Sequence, residues 1–579
     1  MVKKFLITTA IKETWPHKNE KIIFLGEWCK LYSEKNYWEG FDSKVLNYHW
    51  NNRDKYERDY YYLINFYEKT LKSISNKMND IHQVNHSLKY WRILIGPWLA
   101  LLIQSVFDRW QMIQVAINSN DELKTNIIID SDKNWVSNDY ESFKEFVMES
   151  DGWNNFIYGK IINLHKDKIE VKKLNLIDNK FYKKKLKKVF TLKRFIIGLY
   201  QKIANSINTK KSSVIISSYL SKIDEIILSF RLFQLPIFIN IYKARKHLPD
   251  LSQRKWKLTI DSNSGFERFI YDIIPLHIPT LYLEGYNSLN KKVIELNWPK
   301  SPNSIFTSNS IYGDELFKHY TGIHSKSKLI IGQHGGSYGI SKINFSEYHE
   351  LSIADNYISW GWTNRSSNSK IYPVGQLNNI TRVKSNKTKL IILTNVNPRY
   401  SYNMQSYTVS SQWLLYFKDQ VNLIKHLDKS VIDNTIIRLY RNDYGWDQIG
   451  RWKDNFPNLK YDPGFSKIEN LYKQTRIHLA TYNATTYLET FRLNIPTVIF
   501  WDPNYWENRD SVQPLFEELK RVKIFHDTPE SASKHINEIW DNVEGWWEST
   551  EVKEVINEFN KSVNRQNKNH ISDLKKILK

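Results

Sequence analysis

The chain has 579 residues with 83 basic and 61 acidic side chains, which gives a net charge of +22. This length exceeds what one hydrophobic core supports and predicts at least two domains, while the charge predicts an anionic partner: a nucleotide, a nucleic acid or an anionic membrane leaflet. The single cysteine, Cys29, excludes an internal disulfide framework and a cysteine-based zinc site, and it favours a reducing compartment.

The first predicted elements are two short strands, in KKFLITTA (residues 3–10) and KIIFLGE (residues 21–27). The first ends in polar residues too early for a secretory signal, so we expect a cytoplasmic protein. Apolar residues then recur every three or four positions over residues 53–118, which predicts a long helical region. Within it, residues 93–107 are too few for a membrane span, and we interpret them as a buried helix that starts near Pro97.

Short apolar runs, each followed by polar or small residues, predict further strands of a parallel sheet. In the first half these are residues 126–129, 213–217, 258–260, 280–283 and 304–307. After a charged stretch near residue 381 the alternation resumes in LIILTN, TIIRLYR, IHLATYNA, PTVIFWD and RVKIFHD. We therefore predict an α/β protein with two parallel-sheet domains. They are residues 1–380 with a helical insertion and residues 381–550, followed by a C-terminal helix over residues 551–579.

Residues 180–194 hold eight basic side chains, and the segment that follows has helical apolar spacing. A basic amphipathic segment is typical of a peripheral contact with the inner leaflet of the plasma membrane, which we assign to residues 180–208. A solvated helix face explains the same pattern equally well.

The run 328–338, KLIIGQHGGSY, breaks from a buried strand into a loop with glycines around His334. Gly335 and Gly336 permit close backbone approach, so several N–H groups can converge on a phosphate or carboxylate beside the imidazole. Ligands of open α/β sheets bind at such strand ends. The alternative is a tight turn with a structural histidine.

A second candidate anion site lies in TYNATTYLE, where a strand ends, a loop containing Asn483 follows, and a helix starts near Thr485 and Thr486. Free N–H groups at a helix start bind phosphate, and two hydroxyls reinforce them. Glu489 lies one turn further along the same face, where it can accept a hydrogen bond from a sugar hydroxyl. The alternative is an ordinary N-capped helix.

The loop, Thr485, Glu489 and the turn from Asn494 to Thr497 resemble the donor-binding segment of GT-B glycosyltransferases, with Asn494 where glycine is usual. The motifs FLITTAIKETWP, LGEWC, YWRILIGPWL, GQHGGSYG and TYNATTYLETFRLNIPTVIFW resemble the transferases encoded in bacterial O-antigen and surface-polysaccharide gene clusters. The chain is distantly similar to the capsule Kdo and pseudaminic acid transferases, which use CMP-activated acidic sugars. The CDP-glycerol transferases, which place a histidine-glycine loop as His334 and Gly335 are placed here, are also distantly similar.

The resemblance implies a metal-independent GT-B glycosyltransferase without a cofactor, in which two Rossmann-like domains face a cleft. The donor would be a nucleotide sugar, with a CMP-activated nonulosonic acid or Kdo as our expectation, and the acceptor a surface polysaccharide or lipid-linked glycan. Three alternatives stay open: a nucleic-acid-binding basic protein, a non-catalytic scaffold, and a polymer phosphotransferase of the CDP-glycerol type. We expect no nucleic acid as partner, because the sequence has no zinc finger and no RNP-like motif.

Three groups of residues are candidates for the chemistry. His334 has the side chain whose pKa lies nearest neutrality, and Glu13 and Glu27 follow the first two strands as candidate bases. Capping or surface carboxylates explain both glutamates as well. Guanidinium groups near strand ends suit a diphosphate, whereas surface ion pairs are the alternative; the arginines in question are Arg399, Arg438 and Arg441.

The predicted acceptor side consists of aromatic platforms for sugar rings and their polar neighbours, namely Trp15, Trp28, His86 and Arg92. His82 and His86 have zincin spacing but lack the glutamate that follows the first histidine, so we reject a zinc protease. Glu347, His349 and Glu350 have the spacing of metal ligands, and we interpret them instead as support for the His334 loop.

Overall fold

The computed structural model describes residues 3–17, 19–119, 121–175, 204, 212–237, 244–259, 262–296, 298–363, 370–378 and 387–579. The predicted membrane contact over residues 180–208 lies outside this set except for Ala204, and so does the predicted domain boundary at residue 381. Within the described chain the strands form three parallel sheets of five, five and six strands. This confirms the α/β class with parallel sheets, although residues 1–380 hold two sheets where we predicted one.

The first sheet has the order β3-β2-β1-β4-β5 and is parallel throughout. Its strands are β1 Lys4–Ile7, β2 Ile22–Phe24, β3 Ser43–Val45, β4 Leu123–Ile128 and β5 Ile169–Leu174. The long connection from β3 to β4 contains the predicted helical region, which consists of two helices, Arg53–His82 and Leu88–Ile117.

The second sheet has the order β10-β9-β8-β7-β6. Its strands are β6 Val214–Ile216, β7 Ser304–Thr307, β8 Lys328–Gly332, β9 Asn356–Ile358 and β10 Lys370–Tyr372. The central strands β7, β8 and β9 are almost wholly buried, which explains the apolar residues within them at 305–306, 329–331 and 357–358.

The third sheet has the order β13-β12-β11-β14-β15-β16, which is the Rossmann order with a reversal between β11 and β14. Its strands are β11 Lys389–Leu393, β12 Thr435–Arg438, β13 Lys460–Asp462, β14 Thr475–Ala480, β15 Thr497–Phe500 and β16 Phe525–His526. All five strands predicted for the second half are present; β13 is an addition.

Helices connect the strands and cover the sheets. Besides the two long helices, those of the first half are Lys35–Trp38, Tyr140–Glu149, Asp151–Asn163, Lys222–Arg231, Gly265–His277, Tyr286–Ile294, Ser310–Gly313, Glu315–Ile323 and Phe345–Ile353. Those of the second half are Trp413–Lys425, Lys429–Ile432, Gln448–Asn455, Glu469–Tyr472, Thr485–Leu493, Gln513–Arg521, Pro529–Ile539, Val543–Trp547, Thr550–Val563 and His570–Leu578.

Helix Leu88–Ile117 is the one described helix whose length and hydropathy would suit a membrane span, and its most apolar window is 100% buried inside the protein. The predicted buried helix is therefore present, but it begins at Leu88, and Pro97 lies inside it. It packs against Arg53–His82, Asp151–Asn163 and Glu315–Ile323, so it joins the first sheet's helices to those of the second.

Two predicted strands are wrong. Residues 258–259 belong to no strand, and residues 280–283 form a 3-10 helix, Thr280–Tyr282. The N–H groups of Thr280 and Leu281 donate to the carbonyls of Ser137 and Asn138 in a loop, so they are not available to a sheet ladder.

The C-terminal segment forms two helices and connects the second and third sheets. Thr550–Val563 packs on helices Thr485–Leu493 and Gln513–Arg521 of the third sheet. His570–Leu578 instead covers the second sheet, where Ile571 and Leu574 join its hydrophobic core. The end of the chain thus spans the gap between the two sheets whose strand ends form the site described next.

Candidate functional site

A cavity of about 530 Å³ lies at the carboxyl ends of β6, β7 and β8. Ser217 follows β6, Asn309 and Ser310 follow β7, and His334 follows β8, and all four line this cavity. Parallel strands bring their carboxyl ends to one edge of a sheet, which explains how these distant positions meet. The remaining wall comes mainly from helices Leu88–Ile117, Tyr140–Glu149 and Phe345–Ile353 and from two residues of the second half, Tyr402 and Asn403. We call this space the His334 cavity.

A second cavity of about 250 Å³ lies at the carboxyl edge of the third sheet, where the strand order reverses between β11 and β14. Residues 395–398 after β11 and residues 482–485 after β14 line it. Gly335, Gly336 and Ser337 of the His334 loop form another part of its wall. We call this space the switch-point cavity, because open α/β sheets bind ligands at such a reversal.

The two cavities adjoin each other. Tyr402 lines both, and His334 in the wall of one is followed directly by Gly335 in the wall of the other. The two predicted anion loops, at His334 and at Thr485, therefore face each other across a shared space. A ligand in the switch-point cavity would contact Gly335 and Gly336, which directly follow His334 in the chain.

His334 lies in the cavity wall with 20% of its side chain exposed. Its Nδ1 is 3.6 Å from Oε1 of Glu350, and its Nε2 is 3.3 Å from the Tyr338 hydroxyl. Burial lowers the pKa of His334 to about 4, so the imidazole is neutral at pH 7. A neutral imidazole at this wall can accept a proton from a hydroxyl held in the cavity.

Glu350 is fully buried next to His334 and accepts hydrogen bonds from three tyrosine hydroxyls. The O–O distances are 2.7 Å for Tyr312, 2.8 Å for Tyr338 and 3.1 Å for Tyr357. Burial raises the pKa of Glu350 to about 8, although the three hydroxyl donors act in the opposite direction. At pH 7 a largely protonated carboxyl therefore faces the neutral imidazole.

Glu347 ties the His334 loop to the second half of the chain. Its carboxylate accepts the backbone N–H of Gly339 at 2.7 Å and pairs with the guanidinium of Arg509. Arg509 also donates from Nε to the Ser341 carbonyl at 2.9 Å. Helix Phe345–Ile353 thus supports the loop through Glu347 and Glu350, in agreement with the support role that we inferred from the sequence.

Helix Thr485–Leu493 starts at the switch-point cavity with no side chain capping its first turn, because its N-cap residue is Ala484. The side-chain amide nitrogen of Asn483 and the hydroxyl of Thr486 are buried and have no hydrogen-bond partner. Uncapped N–H groups and the helix dipole favour an anion at this position. The sequence-predicted Asn483 and Thr485 line the cavity together with Gly335 and Gly336.

Aromatic side chains make up much of the rest of the switch-point cavity, and the sequence interpretation missed them. They are Tyr402, Tyr407, Tyr440, Tyr444, Tyr482 and Trp506. Tyr440 and Tyr444 stack with ring centroids 6.3 Å apart. The signal that found His334, a position just after a strand, could have found two of them, since Tyr440 follows β12 and Tyr482 follows β14. Flat rings of this kind suit a nucleobase.

The structure does not bring Glu13, Glu27, Trp15 or Trp28 to either cavity. Both tryptophans are core residues, 8% and 1% exposed, and their indole nitrogens donate to the carbonyls of Thr9 and Thr8. Glu13 is on the surface, and Glu27 pairs with Lys30 at 3.1 Å. The expected sugar platforms are therefore wrong, because the strand ends of the first sheet are closed by packing.

Arg399 is part of this packing. It is 4% exposed and donates to the carbonyls of Trp28 and Tyr444 and to Asp151, so all three of its nitrogens are engaged within the protein, and it does not line the cavity. Arg438 is held by Asp462 and Ser466, and Arg441 is exposed away from the cavity lining. The predicted arginine cluster for a diphosphate is absent from the described cavity walls.

The other predicted contacts are also engaged elsewhere. Glu489 accepts from the Tyr472 hydroxyl at 3.1 Å and does not line the switch-point cavity. His86 bonds Tyr286 at 2.9 Å, and Arg92 pairs with Glu68, so neither reaches the His334 cavity. Among the residues that the structure describes, no three histidine, cysteine or acidic side chains converge as a metal site would require.

The sequence profile of the LIC12162 family transferases matches residues 4–578, which is nearly the whole chain. The chain belongs to this transferase family. The predicted transferase is thereby confirmed, and the two cavities are the candidate site of a LIC12162 family transferase. No curated protein matches the chain.

Among solved structures, MurG of Acinetobacter baumannii aligns with 63% of this transferase and 99% of its own chain. The identity is 9% and the TM-score is 0.31. A similarity of this size carries no argument, so the α/β class of this LIC12162 family member rests on its own three sheets.

Proposed function

We propose that this transferase moves a glycosyl group from a nucleotide-activated sugar to a hydroxyl of a surface polysaccharide or lipid-linked glycan. The observation that carries the proposal is the adjoining pair of cavities, one with an uncapped helix start and aromatic walls, the other with a neutral histidine. The first suits a nucleotide and the second suits an attacking hydroxyl. The two cavities meet at residues 334–336, so a group transferred from the nucleotide to the hydroxyl would cross there.

In this proposal the nucleotide occupies the switch-point cavity. Its phosphate lies against the N–H groups of Thr485 and its neighbours, where the helix dipole stabilises negative charge, and its base lies among the tyrosines. The absence of a usable arginine in the described walls favours a donor with one phosphate over a diphosphate. We therefore retain a cytidine monophosphate sugar as the expected donor, with a nonulosonic acid or Kdo as the sugar.

The reaction is a displacement at the anomeric carbon. The acceptor hydroxyl forms the new bond to this carbon while the bond from the carbon to the phosphate oxygen breaks, and the nucleotide leaves with the bonding electrons. The imidazole of His334 takes the proton of the hydroxyl, because it is neutral at pH 7. The uncapped helix start stabilises the phosphate that leaves. No step in this scheme uses a metal or a cofactor.

A panel of CMP, CDP, UDP, GDP and TDP, followed by thermal denaturation, tests the nucleotide site. A ligand of the native state present at 100 times its Kd raises the free energy of unfolding by about 2.7 kcal/mol. We expect CMP to raise the Tm most, and we expect Asn483→Ala to reduce the increase. Asn455→Ala, at an exposed amide on helix Gln448–Asn455, is the matched control.

Three results would redirect the proposal. Failure of all five nucleotides to change the Tm would count against any nucleotide-dependent transfer. A phosphodiester in the product, seen by phosphorus NMR, would indicate a polymer phosphotransferase of the CDP-glycerol type. Salt-dependent binding to generic DNA without nucleotide binding would favour a nucleic-acid-binding protein.

For the cellular setting we propose a cytoplasmic protein with a peripheral membrane contact through residues 180–208, which vesicle sedimentation can test.

A further inference from the structure

The deep wall of the His334 cavity contains polar atoms that the folded chain leaves unpaired. His349 lines the cavity, is 1% exposed, and has no hydrogen-bond partner on either ring nitrogen. Gln104 and Asp314 line it too, at 2% and 6% exposure, and each has one side-chain polar atom without a partner. Burying a polar group without a partner is unfavourable, so three such groups around one cavity indicate a partner that the chain itself does not supply.

The paired atoms of the same side chains fix their orientation. Oε1 of Gln104 accepts the Met404 N–H at 2.6 Å, which leaves the amide nitrogen as the free group. Oδ1 of Asp314 accepts the Phe317 N–H at 3.0 Å as a helix cap, which leaves Oδ2 free. The wall therefore offers one fixed donor, one fixed acceptor and an imidazole, which can serve as either.

The charges of the cavity lining favour a neutral ligand. Among the described lining residues Lys144 is the one lysine or arginine, and the carboxyl groups of Glu141 and Asp314 carry the opposite charge. Burial lowers the pKa of His349 to about 3, so this histidine adds no positive charge at pH 7. Lys318 acts electrostatically on Asp314 and His349, and Arg92 acts on His349, but both lie outside the described lining and pair with Glu315 and Glu68. A carboxylate or phosphate in the deep part would therefore meet Asp314 without a free cation of the lining beside it. Hydroxyl groups, which both donate and accept, match all three unpaired side chains.

The lining also provides flat apolar surface. Tyr140, Tyr312, Phe345 and Tyr402 contribute rings, and Pro97 lies in the same wall. Carbon faces of a pyranose pack on aromatic rings while its hydroxyls bond to polar groups at the edge. The volume of about 530 Å³ lies within the roughly 300 to 1,000 Å³ that is typical of ligand sites.

We propose that the His334 cavity binds a neutral sugar ring of the acceptor, with Gln104, Asp314 and His349 bonded to its hydroxyls. This inference rests on the proposed glycosyl transfer and adds the class of the acceptor residue and the side chains that select it. These three are positioning residues, because they hold the ring so that one of its hydroxyls faces His334.

Saturation-transfer NMR with methyl glycosides tests the inference without knowledge of the natural acceptor. The probes are methyl glycosides of neutral hexoses and of N-acetylhexosamines, compared with the methyl glycosides of hexuronic acids, in the presence of the nucleotide that the thermal panel selects. We expect at least one neutral glycoside to receive saturation and the hexuronates to receive none. Asp314→Asn keeps the helix cap but replaces the free acceptor by a donor. We expect this change to weaken the apparent affinity for the glycoside at least tenfold.

His349→Leu is the second variant, and His277→Leu is its matched control. His277 is also 1% exposed with both ring nitrogens unpaired, but it lies outside the cavity lining. We expect the glycoside signal to be lost in His349→Leu and kept in His277→Leu, with nucleotide binding unchanged in both. Nucleotide binding without any glycoside signal, or a signal that survives both cavity variants, would overturn this inference alone. Failure of nucleotide binding in the unaltered protein would instead overturn the proposed function.

Discussion

Gly336 packs against Ala484 so closely that a Cβ atom on this glycine would lie 2.5 Å from the Ala484 carbonyl carbon. The same atom would lie 2.8 Å from the nitrogen of Thr485, the first residue of the uncapped helix. Both of these neighbouring atoms belong to the backbone, so they cannot rotate away as a side chain would. The contact joins the His334 loop to the candidate phosphate site, and it explains why this position needs glycine.

Gly336→Ala should separate these two loops. Because the methyl group displaces the start of helix Thr485–Leu493, we expect the affinity for the selected nucleotide to fall at least tenfold, or about 1.4 kcal/mol. Isothermal titration calorimetry measures this change. Gly40→Ala is the control, since a Cβ at Gly40 meets nothing within 4 Å. Unchanged nucleotide affinity in Gly336→Ala would show that the contact between the loops is not needed for binding.

His334→Ala should abolish transfer and leave nucleotide binding intact. Removal of a general base typically costs about 10²- to 10⁴-fold in rate, and this side chain lies in the wall of the acceptor cavity rather than among the nucleotide contacts. Release of nucleotide from the donor in the presence of acceptor measures the rate. His426→Ala, at an exposed histidine of the second half, is the control. Near-normal turnover in His334→Ala would reduce this histidine to a structural role.

The position of His334 and of the Thr485 helix start could be predicted because each follows a buried strand, and the ends of parallel strands share one edge. The same rule failed for Trp28 and Glu27, which also follow a strand. The strand ends of the first sheet are covered by Arg399 and Tyr400 of the second half, and such long-range packing leaves no local signal in the sequence. The division of residues 1–380 into two sheets leaves no local signal in the sequence either, since both sheets have the same strand and helix pattern.

Arg509→Lys should loosen the His334 loop. The guanidinium reaches both Glu347 and the Ser341 carbonyl, and a lysine ammonium cannot reproduce this two-sided contact. Loss of one partner of a buried ion pair costs about 3 to 5 kcal/mol, and we expect less here because the Arg509 side chain is 23% exposed. Chemical denaturation of Arg509→Lys, Glu347→Gln and the double variant measures the coupling. Strict additivity of the two single changes would show that the pair does not hold the loop.

Glu350 gives the stability of the protein a pH dependence whose sign is defined. Its pKa is raised from 4.5 to about 8 in the folded state, so between these values the folded chain keeps a proton that the unfolded chain has lost. Titration of Glu350 therefore lowers the free energy of unfolding as the pH rises from 4.5 to 8. Above pH 8 the effect of Glu350 on the free energy of unfolding is constant. The buried histidines act oppositely, because the lowered pKa of His334, about 4, makes stability rise between pH 4 and 6.5.

Glu350→Gln isolates the glutamate from these histidines. Glutamine still accepts hydrogen bonds from the tyrosine hydroxyls through its carbonyl oxygen but has no proton to lose, so the decline above pH 4.5 should disappear from its stability profile. Urea denaturation at intervals from pH 5 to 9 measures both proteins, and the difference between their curves should increase toward pH 8 and then stay level. Tyr357→Phe, which removes one donor to the carboxylate, should raise the pKa further and extend the decline to higher pH. Parallel curves for Glu350→Gln and the unaltered protein would mean that Glu350 is already ionised in the fold, and that a charged carboxylate faces His334.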